Sequence, residues 1–431
     1  GGAVTQGAGS VLTIGDTTTI TAGSNDIELN SATNNFGVSI SIISGKNVTI
    51  SDLGGINLSL LNISGTFFLT AGGNVTDGGT VQITGDATFT LTGGASLSLD
   101  NSTNNFTGVV SIIGANNVTL VDANGLILGA ITASGTLGAT ATLGDITNTG
   151  ALLITGAATF TANDVGANIS VDNAANNFGS TVAFAGAGGL ANVTVVDLSA
   201  FDIQALTLSG NLSVTADGAI TNSGALLIGG TTLASAAGFD VTLNNAGNNF
   251  TGAVSTTGAN VTIVDANGLI LGAITASGTL GATATLGDIT NTGALLITGA
   301  ATFTANDVGA NISVDNAANN FGSTVAFAGA GGLANVTVVD LSAFDIQALT
   351  LTGALSVTAD GAITNSGALL IGGTTLASAA GFDVTLNNAG NNFTGAVSTT
   401  GANVTIVDAN GLILGAITAS GTLGATATLG D

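Results

Sequence analysis

Repetition constrains this chain more than any other feature. The tripeptide Asn-Asn-Phe places its Phe at Phe36, Phe106, Phe178, Phe250, Phe321 and Phe393. The spacing is 70 from Phe36 to Phe106, 72 from Phe106 to Phe178 and 71 from Phe250 to Phe321. Nearly six units of almost constant length are therefore present. A longer period lies over the first, two units long. Asp122, Asp265 and Asp408 recur at this period in copies of Val-Asp-Ala-Asn-Gly-Leu-Ile-Leu-Gly. Residues 145–287 and 288–430 agree everywhere except at Ser209 against Thr352 and Asn211 against Ala354. Near-identical units fold by stacking like on like, and such an array grows by adding units rather than cores. The 431 residues therefore read as one continuous repeat array over 1–431, with near-identical blocks 145–287 and 288–430 and diverged repeats over 1–144. The last residue, Asp431, is equivalent to Asp288 and Asp145 and falls inside a unit. The expectation is a piece of a longer chain.

Within a unit, short runs of alternating apolar and polar residues are split by Gly, Asn and Asp. Leu212-Ser-Val-Thr, Asp240-Val-Thr-Leu and Asn260-Val-Thr-Ile-Val are examples. Period-2 runs bounded by turn residues predict strands. Val, Ile and Thr favour strand, and Gly is spread too evenly for helix. Many short strands also suit sandwiches or barrels. The near-identity of the units and an aromatic content of 17 Phe and no Trp or Tyr point instead to a β-solenoid. The predicted class is all-β, a solenoid with about three coils per unit, bounded at 212–230, 231–259 and 260–278. Pro would interrupt the ladders, and the chain has none.

Charge narrows the function classes. The formal net charge is −24, with Lys46 the one basic residue. A nucleic-acid partner needs a Lys/Arg footprint, so none is expected. Isolated Asp residues read as solvation of an otherwise neutral surface. Without Cys there are no disulfides to set a redox compartment. Apolar stretches such as 126–132 fall far short of the ~20 residues that span a bilayer.

Catalysis needs tuned acids, bases or nucleophiles. With no His, Cys, Tyr or Arg, the supply is Asp, Glu28, Lys46, Ser and Thr. An active site copied once per long period would be unusual, so no catalytic or cofactor-binding residues are predicted and the chain reads as no enzyme. Asp122, Asp265 and Asp408 read as turn residues. The alternative is a calcium site, which asks for six to eight oxygens. Thr-x-Thr pairs such as Thr140–Thr142, Thr159–Thr161, Thr283–Thr285 and Thr302–Thr304 read as ordinary outward Thr. The interval from Thr140 to Thr159, repeated from Thr283 to Thr302, matches one short coil.

The runs Leu212-Ser-Val-Thr-Ala-Asp-Gly-Ala-Ile-Thr-Asn-Ser-Gly, Asp240-Val-Thr-Leu-Asn-Asn-Ala-Gly-Asn-Asn-Phe-Thr-Gly and Asn260-Val-Thr-Ile-Val-Asp-Ala-Asn-Gly-Leu resemble the repeats of giant bacterial surface proteins, the filamentous-haemagglutinin-like adhesins. The resemblance spans essentially the whole chain. It implies a right-handed parallel β-helix in an extracellular stalk or fibre at the bacterial cell surface, secreted through an outer-membrane pore. It also implies surface display, attachment to a host or neighbouring cell, and self-association into filaments or bundles. Some such adhesins carry glycans on Asn-x-Ser/Thr, which makes Asn117, Asn192, Asn260, Asn335 and Asn403 glycosylation candidates. A solenoid that binds ice or carbohydrate is the alternative function, and a polysaccharide-acting β-helix enzyme a more distant one.

Overall fold

A computed structural model describes residues 2–429. The final Asp431, which marks the break inside a unit, lies outside them. The chain divides into two compact units, Gly1–Ala216 and Asp217–Asp431. Each is a parallel β-solenoid built from two sheets, and no helix occurs among the described residues.

In the second unit, Leu280 lies against Ala301, Ala301 against Val325, and Val325 against Ile346. Phe344 then lies against Ile363, Ile363 against Val384, Val384 against Val404, and Val404 against Leu423. Seven turns thus carry the chain from Leu280 to Leu423, its copy one long period on. Turn length varies. Val254 already returns at Leu271, whereas Ala301 does not return until Val325.

The expected three coils per repeat unit therefore become three and a half. The predicted coil edge at 259/260 moves as well, because Thr232 returns against Val254, before that edge is reached. A sequence period marks where the same side chains recur. It does not mark where the backbone closes a turn, which hydrogen-bond register decides.

The half turn has a visible consequence. Equivalent strands of successive repeats fall in opposite sheets. In the first unit Ala87–Leu91 lies in one sheet and its counterpart Ala158–Ala162 in the other. In the second unit Leu280–Ala284, Leu355–Ala359 and Leu423–Ala427 alternate in the same way. Only a shift by the long period restores both the side chain and its sheet.

Strands such as Leu137–Ala141 and Val261–Asp265 bury every second residue, as the alternating pattern predicts. The core is Val, Ile, Leu, Ala and Phe. Each fully buried Val, Leu or Ile contributes about 1.5–3 kcal/mol. Phe rings also meet across turns. Phe160 and Phe184 stack at 5.9 Å, and Phe67 and Phe89 meet edge-on at 5.6 Å.

Outward Thr residues form only short rows. Thr140 faces Thr161, not Thr159, because this turn is longer than the sequence interval suggested, and the row continues into Val121 and Ala185. Thr283 likewise faces Thr304 rather than Thr302. Rows of three occur at Thr221, Thr242 and Thr262, and at Thr364, Thr385 and Thr405. They end at Gly281 and Gly424.

Candidate functional site at the Asn-Asn-Phe corner

Each Asn-Asn-Phe corner turns two side chains inward. The first Asn is fully buried at Asn34, Asn104, Asn176, Asn248, Asn319 and Asn391, and the Phe enters the core beside it. The Phe amide then needs an acceptor. In every repeat it donates to the carboxylate of an Asp one turn further on. Phe36 reaches Asp52 at 2.8 Å, Phe106 reaches Asp122 at 3.2 Å, and Phe178 reaches Asp197 at 3.1 Å. Phe250 with Asp265, Phe321 with Asp340 and Phe393 with Asp408 repeat the bond at 3.1 to 3.3 Å.

The residue after each Asp returns the bond. Ala123 N–H donates to the Asn104 carbonyl at 2.7 Å, and Ala266 N–H to that of Asn248 at 2.8 Å. The buried Asn is satisfied too. Asn176 Oδ1 accepts from Leu152 N–H and from the Asn148 amide, both at 2.9 Å, while its own amide donates to the Val171 carbonyl at 2.9 Å. Each corner is a reciprocal clamp between two stacked turns.

Asp122, Asp265 and Asp408 are thus clamp residues, and so are Asp52, Asp197 and Asp340. Sequence reasoning missed the latter three because their flanks differ. Asp-Leu-Gly-Gly and Asp-Leu-Ser-Ala replace Asp-Ala-Asn-Gly. The usable signal was distance from the corner, since each Asp follows its Phe by 15 to 19 residues.

The other side of the carboxylate is also engaged. Asp122 Oδ1 accepts from Asn124 N–H at 2.9 Å, and Asp197 Oδ2 accepts from the Ser199 hydroxyl at 3.1 Å. Burial pushes the Asp122 carboxyl up to about 6, against the pull of these N–H donors. Burial raises Asp197, Asp265 and Asp340 in the same direction. A carboxylate ringed by N–H donors is the reverse of what calcium asks for. Among the described residues no three His, Cys, Asp or Glu side chains are grouped.

The glycosylation candidates occupy a second recurring position, at or near the start of the strand that ends in the clamp Asp. Asn117, Asn260 and Asn403 just precede it, and Asn192 and Asn335 lie in its first residues. Asn260 donates from its side-chain amide to Asp240 Oδ1 at 2.9 Å, and its Oδ1 accepts from Thr279 N–H at 3.0 Å. Asn403 repeats this with Asp383 and Thr422. Asn192 and Asn335 donate to Asn168 and Asn311 at 2.7 and 2.8 Å. Asn117 accepts from Thr136 N–H at 2.9 Å. Asn192 is half-buried, whereas the other four are exposed.

Above each of these Asn residues sits a Gly. A Cβ on Gly135, Gly210, Gly278, Gly353 or Gly421 would collide with the Asn Oδ1. The only two differences between blocks 145–287 and 288–430 flank this Gly, and both leave its bonds intact. Ser209 and Thr352 each direct a hydroxyl at a Leu carbonyl, at 3.4 and 3.3 Å. Asn211 and Ala354 each present a backbone N–H to the ladder Asn, at 2.7 Å.

Surface concavities are open. One of 540 Å³ in the first unit lies between 177–182 and 199–202, and its counterpart in the second, lined by Phe321, Ser342 and Asp345 among others, has 440 Å³. Each holds one carboxylate, Asp202 or Asp345, already bound to the amide of Gln204 or Gln347 at 2.6 and 2.7 Å.

A family model described as repeats of unknown function (DUF5649) matches six segments of the chain, residues 1–43, 45–113, 115–185, 190–257, 258–328 and 333–400. No curated protein matches the sequence, and no solved structure matches.

Proposed function

We propose that this chain, which belongs to the family of repeats of unknown function (DUF5649), is a segment of an extracellular structural or adhesive fibre. In this reading it works by surface display, holding adhesive material away from a bacterial cell and engaging a host or neighbouring cell. Secretion through an outer-membrane pore and lateral association into filaments belong to the same proposal.

The observation that carries it is the clamp. The acidic side chain that recurs in every repeat is buried and bonded to the adjoining turn. Polar chemistry here is spent on stacking, which is what a shaft that resists being pulled apart requires. Each of the two concavities described above holds one carboxylate, whereas hydrolysis by paired carboxylates needs two. Among the described residues the Thr rows given above run to three, shorter than a flat ice-binding lattice asks for.

Labelling of intact source cells with an antibody to residues 145–287 tests the reading. Staining without permeabilisation, and weaker cell attachment after in-frame deletion of the repeats, are expected. Staining only after permeabilisation would overturn it.

A further inference from the structure

Asn-Gly occurs at three places in the sequence, Asn124-Gly125, Asn267-Gly268 and Asn410-Gly411. All three sit in the turn directly after a clamp Asp, in the repeats that carry Asp-Ala-Asn-Gly. The sister turns carry Gly54-Gly55 and Ser199-Ala200 instead. Each of the three Asn side chains is exposed. The Asn backbone is held, since Asn124, Asn267 and Asn410 N–H each donate to the preceding Asp Oδ1 at 2.9 Å. The following Gly is not held. Gly125, Gly268 and Gly411 N–H donate no hydrogen bond, and the three Asn side-chain amides make none, among the bonds of the described residues. Gly also lacks the side chain that would shield its nitrogen.

We propose that Asn124, Asn267 and Asn410 are sites of self-modification through a succinimide. After losing its proton, the Gly amide nitrogen attacks the Asn side-chain carbonyl carbon. The new C–N bond closes a five-membered imide, and the bond to the side-chain nitrogen breaks to release ammonia. Water then opens the imide at either carbonyl, leaving Asp or its β-linked isomer. No oxidant, reductant or enzyme enters the balance. Each event adds one negative charge close in sequence to a buried clamp carboxylate, and the β-linked product adds a methylene to the backbone of the turn. Because the folded turn leaves the nucleophile unbonded, conversion proceeds in the native chain and accumulates with its age.

Peptide mapping of the native chain after prolonged incubation in mildly alkaline oxygen-18 water tests this. The expected result is label and the NH₂-to-OH mass change at Asn124 and Asn267, with up to three added charges per chain in isoelectric focusing. Exposed ladder residues such as Asn117 and Asn260 should stay unchanged. Gly125→Ala with Gly268→Ala should slow conversion at both sites at least tenfold. Those variants are checked for native circular dichroism, and a synthetic Val-Asp-Ala-Asn-Gly-Leu peptide serves as the unfolded reference. A native chain that stays unconverted while the peptide converts overturns the proposal. So does equal conversion at Asn117 and Asn260.

Discussion

A single aspartate per repeat shows how one residue ties two turns together. Removing the Asp122 side chain leaves the buried Phe106 N–H without its acceptor and frees Asn124 N–H. Asp122→Ala should cost about 2–3 kcal/mol, the range for an orphaned buried donor that had a charged partner, and urea unfolding at fixed pH measures it. The pH dependence has a definite sign. The folded carboxyl sits near 6, above the ordinary 3.8 that the unfolded chain retains. Between these values the native state binds more protons than the unfolded state, so stability falls as pH rises. The contribution is fully present below 3.8 and lost through about 6, worth about 3 kcal/mol at most for this residue. Asp197, Asp265 and Asp340 add in the same direction. Melting temperature should therefore be higher at pH 4.5 than at pH 8, a difference that Asp122→Asn reduces. A melting temperature that rises from pH 4.5 to 8 would contradict the burial argument.

Strands and corners impose pairwise rules. The Asn260 ladder needs Gly278 because a methyl group there would run into Asn260 Oδ1. Gly278→Ala should destabilise by about 1–3 kcal/mol, as overpacking of a tight site does. Adding Asn260→Ala removes the obstructing oxygen. The double variant should recover part of that loss, and a double-mutant cycle read by thermal unfolding quantifies the coupling. Inside the coil, Phe303 stacks on Phe327 at 5.8 Å. Phe303→Ala should cost about 3–5 kcal/mol. Hydrogen exchange should quicken first in Ala301–Ala305 and in Val325–Ala328, which pairs with it, because solenoid turns depend on their nearest neighbours.

At the scale of the whole molecule the half turn decides which rearrangements are tolerated. Deleting residues 145–287 joins Gly144 to Asp288, the copy of Asp145, and keeps every later strand in its native sheet. Circular dichroism per residue and the denaturation midpoint should stay close to those of the full chain. Deleting residues 145–216 removes a single sequence unit and only three and a half turns. It joins Gly144 to Asp217 and presents the next strands with neighbours of the wrong sheet, so a lower midpoint is expected. Equal midpoints for the two deletions would show that the sheets are interchangeable.

Local pattern was enough for much of this. Alternating runs such as Leu212–Ala216 and Val261–Asp265 dictated strands with one face buried, because side chains alternate across any strand. Near-identity of the copies dictated a repeat array, but not stacking of like on like: Phe178 lies against Ile154 and Leu137 against Ala158, each in a different turn of the array and none the equivalent of its neighbour. The repeat and the solenoid were thus legible from residues alone. Turn length was not, since it is a sum of corner geometries that no single run of residues displays. For that reason three and a half turns replaced three, and Thr140 found Thr161. Nor could the sequence say which amide each Asp would hold. The bond from Phe178 to Asp197 spans 19 residues, and only the closure of a turn brings buried donor and buried acceptor together. Composition and period decided that the chain coils; tertiary register decided where each turn meets the next.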